Sequence, residues 1–89
     1  MVKKTLTIEN KLGLHARAAA EFVKRAGRFS SSIQIACNGQ TADGKSIMGI
    51  MMLAAVRGTG IELTIDGDDE LDAMATLEAL IHDRFGEDE

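Results

Sequence analysis

The chain has no proline, no tryptophan and no tyrosine, and a single cysteine among its 89 residues. With Cys37 alone, no intramolecular disulfide can form, which suits a reduced, cytoplasmic setting. Aromatics are three, Phe22, Phe29 and Phe85, and none alternates with basic residues along a strand. That argues against a stacking platform for nucleic-acid bases, as does the net charge of −4. No apolar run approaches the ~20 residues that cross a bilayer, and no signal-like segment precedes the first strand-like stretch. Neither membrane insertion nor nucleic-acid binding is expected. The length suits one domain covering residues 1–89, and 45% hydrophobic residues suffice for a single core.

The charges are unevenly placed. Lys3, Lys4, Lys11, Arg17, Lys24, Arg25 and Arg28 crowd the first third, whereas Asp66 to Asp72 and the run Gly86-Glu87-Asp88-Glu89 are acidic. The positive pole is the side on which an anion or an acidic partner would be met.

Hydrophobic periodicity gives the elements. Val2, Lys4, Leu6 and Ile8 alternate with Lys3, Thr5 and Thr7 as a half-buried strand. From Ala16 the period becomes helical: Ala19, Phe22, Val23 and Ala26 form an inward stripe ending near Gly27, read as a C-terminal glycine. Ala16, Arg17, Ala20 and Lys24 share the opposite, open face. After Ser30-Ser31-Ser32, the residues Ile33, Ile35 and Cys37 alternate as a second strand. Asn38-Gly39 is a hairpin signal, because both positions tolerate positive φ. A short return strand covers Gln40 to Ala42. Ser46 then precedes an apolar run, Ile47 to Val56, read as a short helix with Ile50 and Leu53 as core residues. Ile61, Leu63 and Ile65 make the last strand, and Leu71, Met74, Leu77, Leu80, Ile81 and Phe85 the stripe of a final helix. The order β-α-β-β-α-β-α implies an α+β layered domain whose helices cover one face of the sheet. The other face, with Lys3, Thr5, Thr7, Gln34, Glu62 and Thr64, would be polar.

Asn10-Lys11-Leu12-Gly13-Leu14-His15-Ala16-Arg17 is the stretch that carries chemistry. A residue at the head of a helix meets backbone N–H groups without intrahelical partners and the positive end of the macrodipole. That setting disfavours an imidazolium, so His15 is expected to be largely neutral and nucleophilic, and it welcomes an anion placed on the ring. Arg17 could fold back with a charge-assisted contact. No carboxylate pair or metal cluster stands beside His15 in the sequence, and His15, Cys37 and His82 lack metal-ligand spacing. The pattern suits holding a phosphoryl group rather than hydrolysing one, and calls for no cofactor. A bare His-x-Arg is weak, and a plain structural role at the helix start remains the competing reading.

The longer run Gly13-Leu14-His15-Ala16-Arg17, together with Asn38-Gly39, Asp43-Gly44-Lys45-Ser46-Ile47-Met48-Gly49 and the acidic start of the last helix, resembles the HPr family. These are histidine-containing phosphocarrier proteins of the bacterial phosphoenolpyruvate-dependent phosphotransferase system, with a nitrogen-branch paralogue; the resemblance spans essentially the whole chain and fits both branches. It implies an open-faced β-sandwich, four antiparallel strands covered on one face by three helices. It implies that His15 accepts phosphate on Nδ1 from enzyme I and passes it to enzyme IIA domains, with Arg17 assisting. The chain is accordingly expected to act as a monomer and as a co-substrate of phosphotransferases, in sugar transport among other roles, catalysing nothing alone. One departure stands out: many members have proline where this chain has Ala18. Proline there would stiffen the helix start, and alanine forgoes about 0.5–1 kcal/mol of unfolded-state entropy.

Ser46 reads first as an N-cap. In the family the matching serine is a regulatory phosphorylation site of HPr kinase/phosphorylase, and Lys45-Ser46-Ile47-Met48-Gly49 looks like that target. Ile47, Met48 and Met51 are expected to be at least partly exposed, forming with Ala16, Arg17, Ala20 and Lys24 the surface that meets enzyme I and IIA domains. His82 is expected at the surface near a helix end and Cys37 inside. Two other classes share features: a nucleic-acid-binding domain of ferredoxin-like order, disfavoured by charge and missing aromatics, and an acyl carrier, disfavoured by its absent acidic-Ser-Leu signature and by the strands here.

Overall fold

The computed structural model describes residues 1–89. Strand β1 (Val2–Thr7) leads to helix α1 (Ala16–Ala26), the hairpin β2 (Ser32–Cys37) and β3 (Gln40–Asp43), helix α2 (Ile47–Met52), strand β4 (Gly60–Asp66) and helix α3 (Glu70–His82), with a closing 3-10 turn at Arg84–Gly86. The strands lie in the order β1-β4-β2-β3 and every neighbouring pair is antiparallel. Four strands with three helices make an open-faced α+β sandwich. No helix is long and apolar enough to cross a membrane.

The alternation in β4 explains why it is central. Ile61, Leu63 and Ile65 are buried, and the register sets Leu6 opposite Ile61, Ile35 opposite Leu63 and Ile33 opposite Ile65. A slip of one residue would turn all of these to solvent. Against that apolar face lie Ala18, Ala19, Phe22 and Ala26 of α1, and Ala73, Met74, Leu77, Leu80 and Ile81 of α3, in a single core of 22 buried residues. Lys4, on the helix side of β1, meets Glu78 of α3 at 2.7 Å instead of reaching the core. Lys3, Thr5, Thr7, Gln34 and Glu62 are exposed on the other face and Thr64 is half-buried. Asn38 (φ 51°) and Gly39 (φ 81°) turn the hairpin in the left-handed conformations their pair favours.

Four details depart from the sequence reading. Helix α2 stops at Met52, well before Val56: Leu53 caps it, and Ala54 at φ 54° reverses the chain without a glycine to announce the break. Gly27 ends α1 at φ −66° in the right-handed region, so its tolerance of left-handed backbone is not used. Leu71 is 71% exposed. The buried line of α3 is Leu77 with its neighbours three and four residues away, and Leu71, six residues back, is rotated about 120° from it. Phe85 is buried, but not as part of α3; the helix ends at His82, and left-handed backbone at Arg84 and Phe85 (φ 55° and 57°) swings the ring into the core.

Asp69 joins the two loops at one end of the molecule. Its carboxylate accepts the Ser31 hydroxyl, the Ser30 N–H at 2.9 Å and the Ser31 N–H at 3.0 Å. The Ser31 hydroxyl above all, then the Ser30 N–H, hold its carboxyl at about 2 against the opposing effect of desolvation. A carboxyl depressed in the folded state contributes stability above its unfolded value, and that contribution is lost as pH falls toward the folded one. Stability should therefore drop between pH about 4 and about 2, and Asp69→Asn should flatten that part of the profile, as read from urea midpoints across the range. An equally steep acid limb in the variant would contradict the assignment.

Candidate functional site

The segment between β1 and α1 is held from both sides. Gly13 has φ 68°, and a Cβ there would overlap the Ala55 carbonyl oxygen, which accepts the Leu14 N–H at 2.9 Å. Asn10 is wholly buried and its Nδ2 donates to the Gly13 carbonyl at 2.8 Å. These contacts deliver His15 in extended backbone (φ −75°, ψ 179°) as the residue that opens α1, its carbonyl accepting the Ala19 N–H at 2.9 Å. The N–H groups of the first turn then have no i−4 partner and face outward with the positive end of the helix dipole. The imidazole does not cap them.

The ring is held instead by a residue 72 positions away: His15 Nε2 lies 2.5 Å from Glu87 Oε2. Left-handed backbone from Arg84 to Gly86 turns the chain back after buried Phe85 and lays Glu87 against the loop. Its other oxygen, Oε1, accepts from Asn10 Nδ2 at 2.9 Å. Further along, the Lys11 N–H donates to the Glu89 carbonyl at 2.9 Å and the Lys11 ammonium meets the Glu89 carboxylate at 3.3 Å. Burial works to raise the Glu87 carboxyl, yet the hydrogen bonds from Asn10 and from the His15 ring, with the nearby charge of Arg17, keep it below the usual carboxylate range. The result is an open recess with His15, Arg17, Lys11 and Leu12 on one side and Gly86 to Glu89 on the other.

Of the residues singled out by sequence, Arg17 is exposed and lines that recess with His15. Ala16, Ala20 and Lys24 are exposed along the outer face of α1. Ser46 is outside the recess, as the N-cap of α2, its hydroxyl accepting the Gly49 N–H at 3.0 Å. Helix α2 packs beside α1. Ile47 is 41% and Met48 68% exposed, and Met51 is half-buried against the core. Met52, given no place by the sequence reading, is 74% exposed and adds to this apolar surface. His82 is at the surface, its Nδ1 2.8 Å from Glu9; that hydrogen bond above all raises its pKa. Cys37 is buried.

Asn10 and Glu87 are the site residues that sequence reasoning missed. Asn10 looks like a turn residue, and Glu87 like one of several solvated acids; only the left-handed turn at Arg84–Gly86 distinguishes it from Asp88 and Glu89.

A family model described as the PTS HPr component phosphorylation site matches residues 2–83. The chain belongs to the HPr family of phosphocarrier proteins. It is 53% identical to the phosphocarrier protein HPr of Cupriavidus necator, over the whole of both chains. The solved HPr-C-His of Thermoanaerobacter tengcongensis superposes with a TM-score of 0.95 at 45% identity, again covering both chains completely. An HPr dimer from the same organism matches with a TM-score of 0.78 at 46% identity, covering 98% of this chain and 100% of that one. As an HPr-family member, the chain is a phosphocarrier of the phosphotransferase system whose partners are enzymes of that system.

Proposed function

We propose that His15 is the phosphoryl-carrying residue, accepting the group from phospho-enzyme I and passing it to enzyme IIA domains. The single observation that carries this is the ring at the head of α1 with one nitrogen engaged by Glu87 and the other free of any hydrogen bond. A phosphoryl group on the free nitrogen would be received by the unpaired N–H groups of the first turn, with Arg17 adding a charge-assisted contact. Residues 1–89 act as one monomeric, cytoplasmic carrier domain, a co-substrate of the enzymes it visits. Ala16, Ala20 and Lys24 of α1, with Ile47, Met48 and Met51 of α2, form the docking surface: a basic rim beside adaptable apolar side chains. Ser46 is the regulatory position, a substrate for HPr kinase/phosphorylase. Phosphate there keeps the helix dipole satisfied while adding roughly two negative charges beside the surface that enzyme I must approach.

Incubation with phosphoenolpyruvate and enzyme I should add one acid-labile phosphate to the intact mass, and His15→Ala should abolish the gain. No gain in the parent chain under active enzyme I would overturn the reading. A Ser46→Asp variant should accept phosphoryl more slowly from enzyme I while unfolding at a similar urea concentration. Undiminished transfer would remove Ser46 from the regulatory role.

A further inference from the structure

Glu87 is the one side chain hydrogen-bonded to the His15 ring, and the ring itself does not determine where that carboxylate lies. Phe85, buried, anchors the turn that delivers it, and the Lys11 N–H holds the chain beyond it. Asn10 fixes the carboxylate from the other side. Both partners of Asn10 Nδ2, the Gly13 carbonyl and Glu87 Oε1, can only accept, so the amide must present its NH2 to them, although this leaves Oδ1 buried without a partner. A carboxylate likewise only accepts, so the short contact to Glu87 requires the proton on Nε2 of His15. A neutral ring with its proton on Nε2 has its lone pair on Nδ1. The side chain of His15 remains 28% exposed, open to a donor from the recess, whereas that of Glu87 is 12% exposed.

We propose that Glu87 is the positioning residue of the phosphoryl site: it holds the His15 ring in the tautomer whose Nδ1 lone pair is free, and it pairs with the charge the ring acquires on phosphorylation. This rests on the phosphocarrier reading above. On loading, the Nδ1 lone pair forms a bond to phosphorus as the bond from phosphorus to the donor breaks and its electron pair returns to the donor. The proton stays on Nε2, so the phosphorylated ring is positive and faces the carboxylate. On unloading, an acceptor nucleophile bonds to phosphorus and the P–N electron pair returns to Nδ1, releasing a neutral imidazole. Without the Nε2 proton the ring would have to leave as an imidazolate, a far poorer leaving group. Glu87 therefore eases transfer in both directions, while Arg17 and the helix end attend to the phosphoryl oxygens.

The Asn10 contact makes the test sharp. In Glu87→Gln, the amide oxygen must face Asn10 Nδ2, which leaves the Gln NH2 facing the ring. That NH2 donates to Nε2 and moves the ring proton to Nδ1, removing the nucleophilic lone pair. Nitrogen-15 spectra of the His15 ring at alkaline pH read this directly, without phosphate, and the backbone amides in the same samples report whether each variant is folded. The parent should show Nε2 as the proton-bearing nitrogen, Glu87→Ala a mixture of the two tautomers, and Glu87→Gln the proton on Nδ1. Phosphoryl acceptance from enzyme I should fall by about tenfold in Glu87→Ala, the scale of a lost hydrogen bond to a charged group, and further in Glu87→Gln. The same tautomer in all three proteins, or variants that accept phosphoryl as fast as the parent, would overturn the role of Glu87. Failure of the phosphocarrier reading would look different: the parent itself would take up no phosphoryl group, whatever its tautomer.

Discussion

A short chain of hydrogen bonds runs from the Gly13 carbonyl through the Asn10 amide to the Glu87 carboxylate and on to the His15 ring. It joins the loop after the first strand to the segment after the last helix. Each member constrains the next: the carbonyl and the carboxylate orient the amide, and the carboxylate orients the imidazole. The rest of the fold supplies the two anchors. Gly13 can approach Ala55 only because it has no Cβ, and Phe85 enters the core only because the backbone at Arg84 and Phe85 turns left-handed. A nucleophile at a helix end is common, but one whose free nitrogen is selected by a half-buried carboxylate is a defined reagent.

The site is built to carry rather than to consume. The end of α1 and Arg17 offer stabilisation to an anion, and the recess is open enough for a second protein to reach the ring. The single carboxylate at the ring is already engaged by the ring and by Asn10, so it is not disposed to activate water against a phosphoryl group. The apolar side chains of Ile47, Met48 and Met52 lie outward on the neighbouring helix. On the proposed reading, chemistry and docking would fall on adjacent helices, α1 and α2; Ser46 caps the second of them.

Much of this was legible in the sequence. Strict alternation in β4 and the 3–4 spacing in α1 gave the core and the open face, because a sheet face and a helix stripe each leave a periodic record. Asn38-Gly39 announced the hairpin for a similarly local reason, its two left-handed residues. The end of α2 was hidden because Ala54, which reverses the chain, is a good helix former within an apolar run. Leu71 was misplaced because an apolar residue at a helix start resembles the stripe until burial fixes the helix rotation. The carboxylate at His15 was beyond reach for another reason: a contact across 72 positions leaves no period, and nothing local distinguishes Glu87 from its acidic neighbours. Ala18 is a milder case. It is fully buried in the first turn of α1, so packing restrains a helix start that proline would otherwise stiffen.

The central claim is that phosphoryl transfer occurs at the one ring nitrogen of His15 that Glu87 leaves free. Phosphorus–nitrogen coupling in histidine-labelled protein, loaded with phosphoenolpyruvate and enzyme I, tests it most directly. The account predicts a single phosphorus signal coupled to Nδ1 of His15, with Nε2 still bearing its proton. Coupling to Nε2, or to a nitrogen of His82, would contradict it.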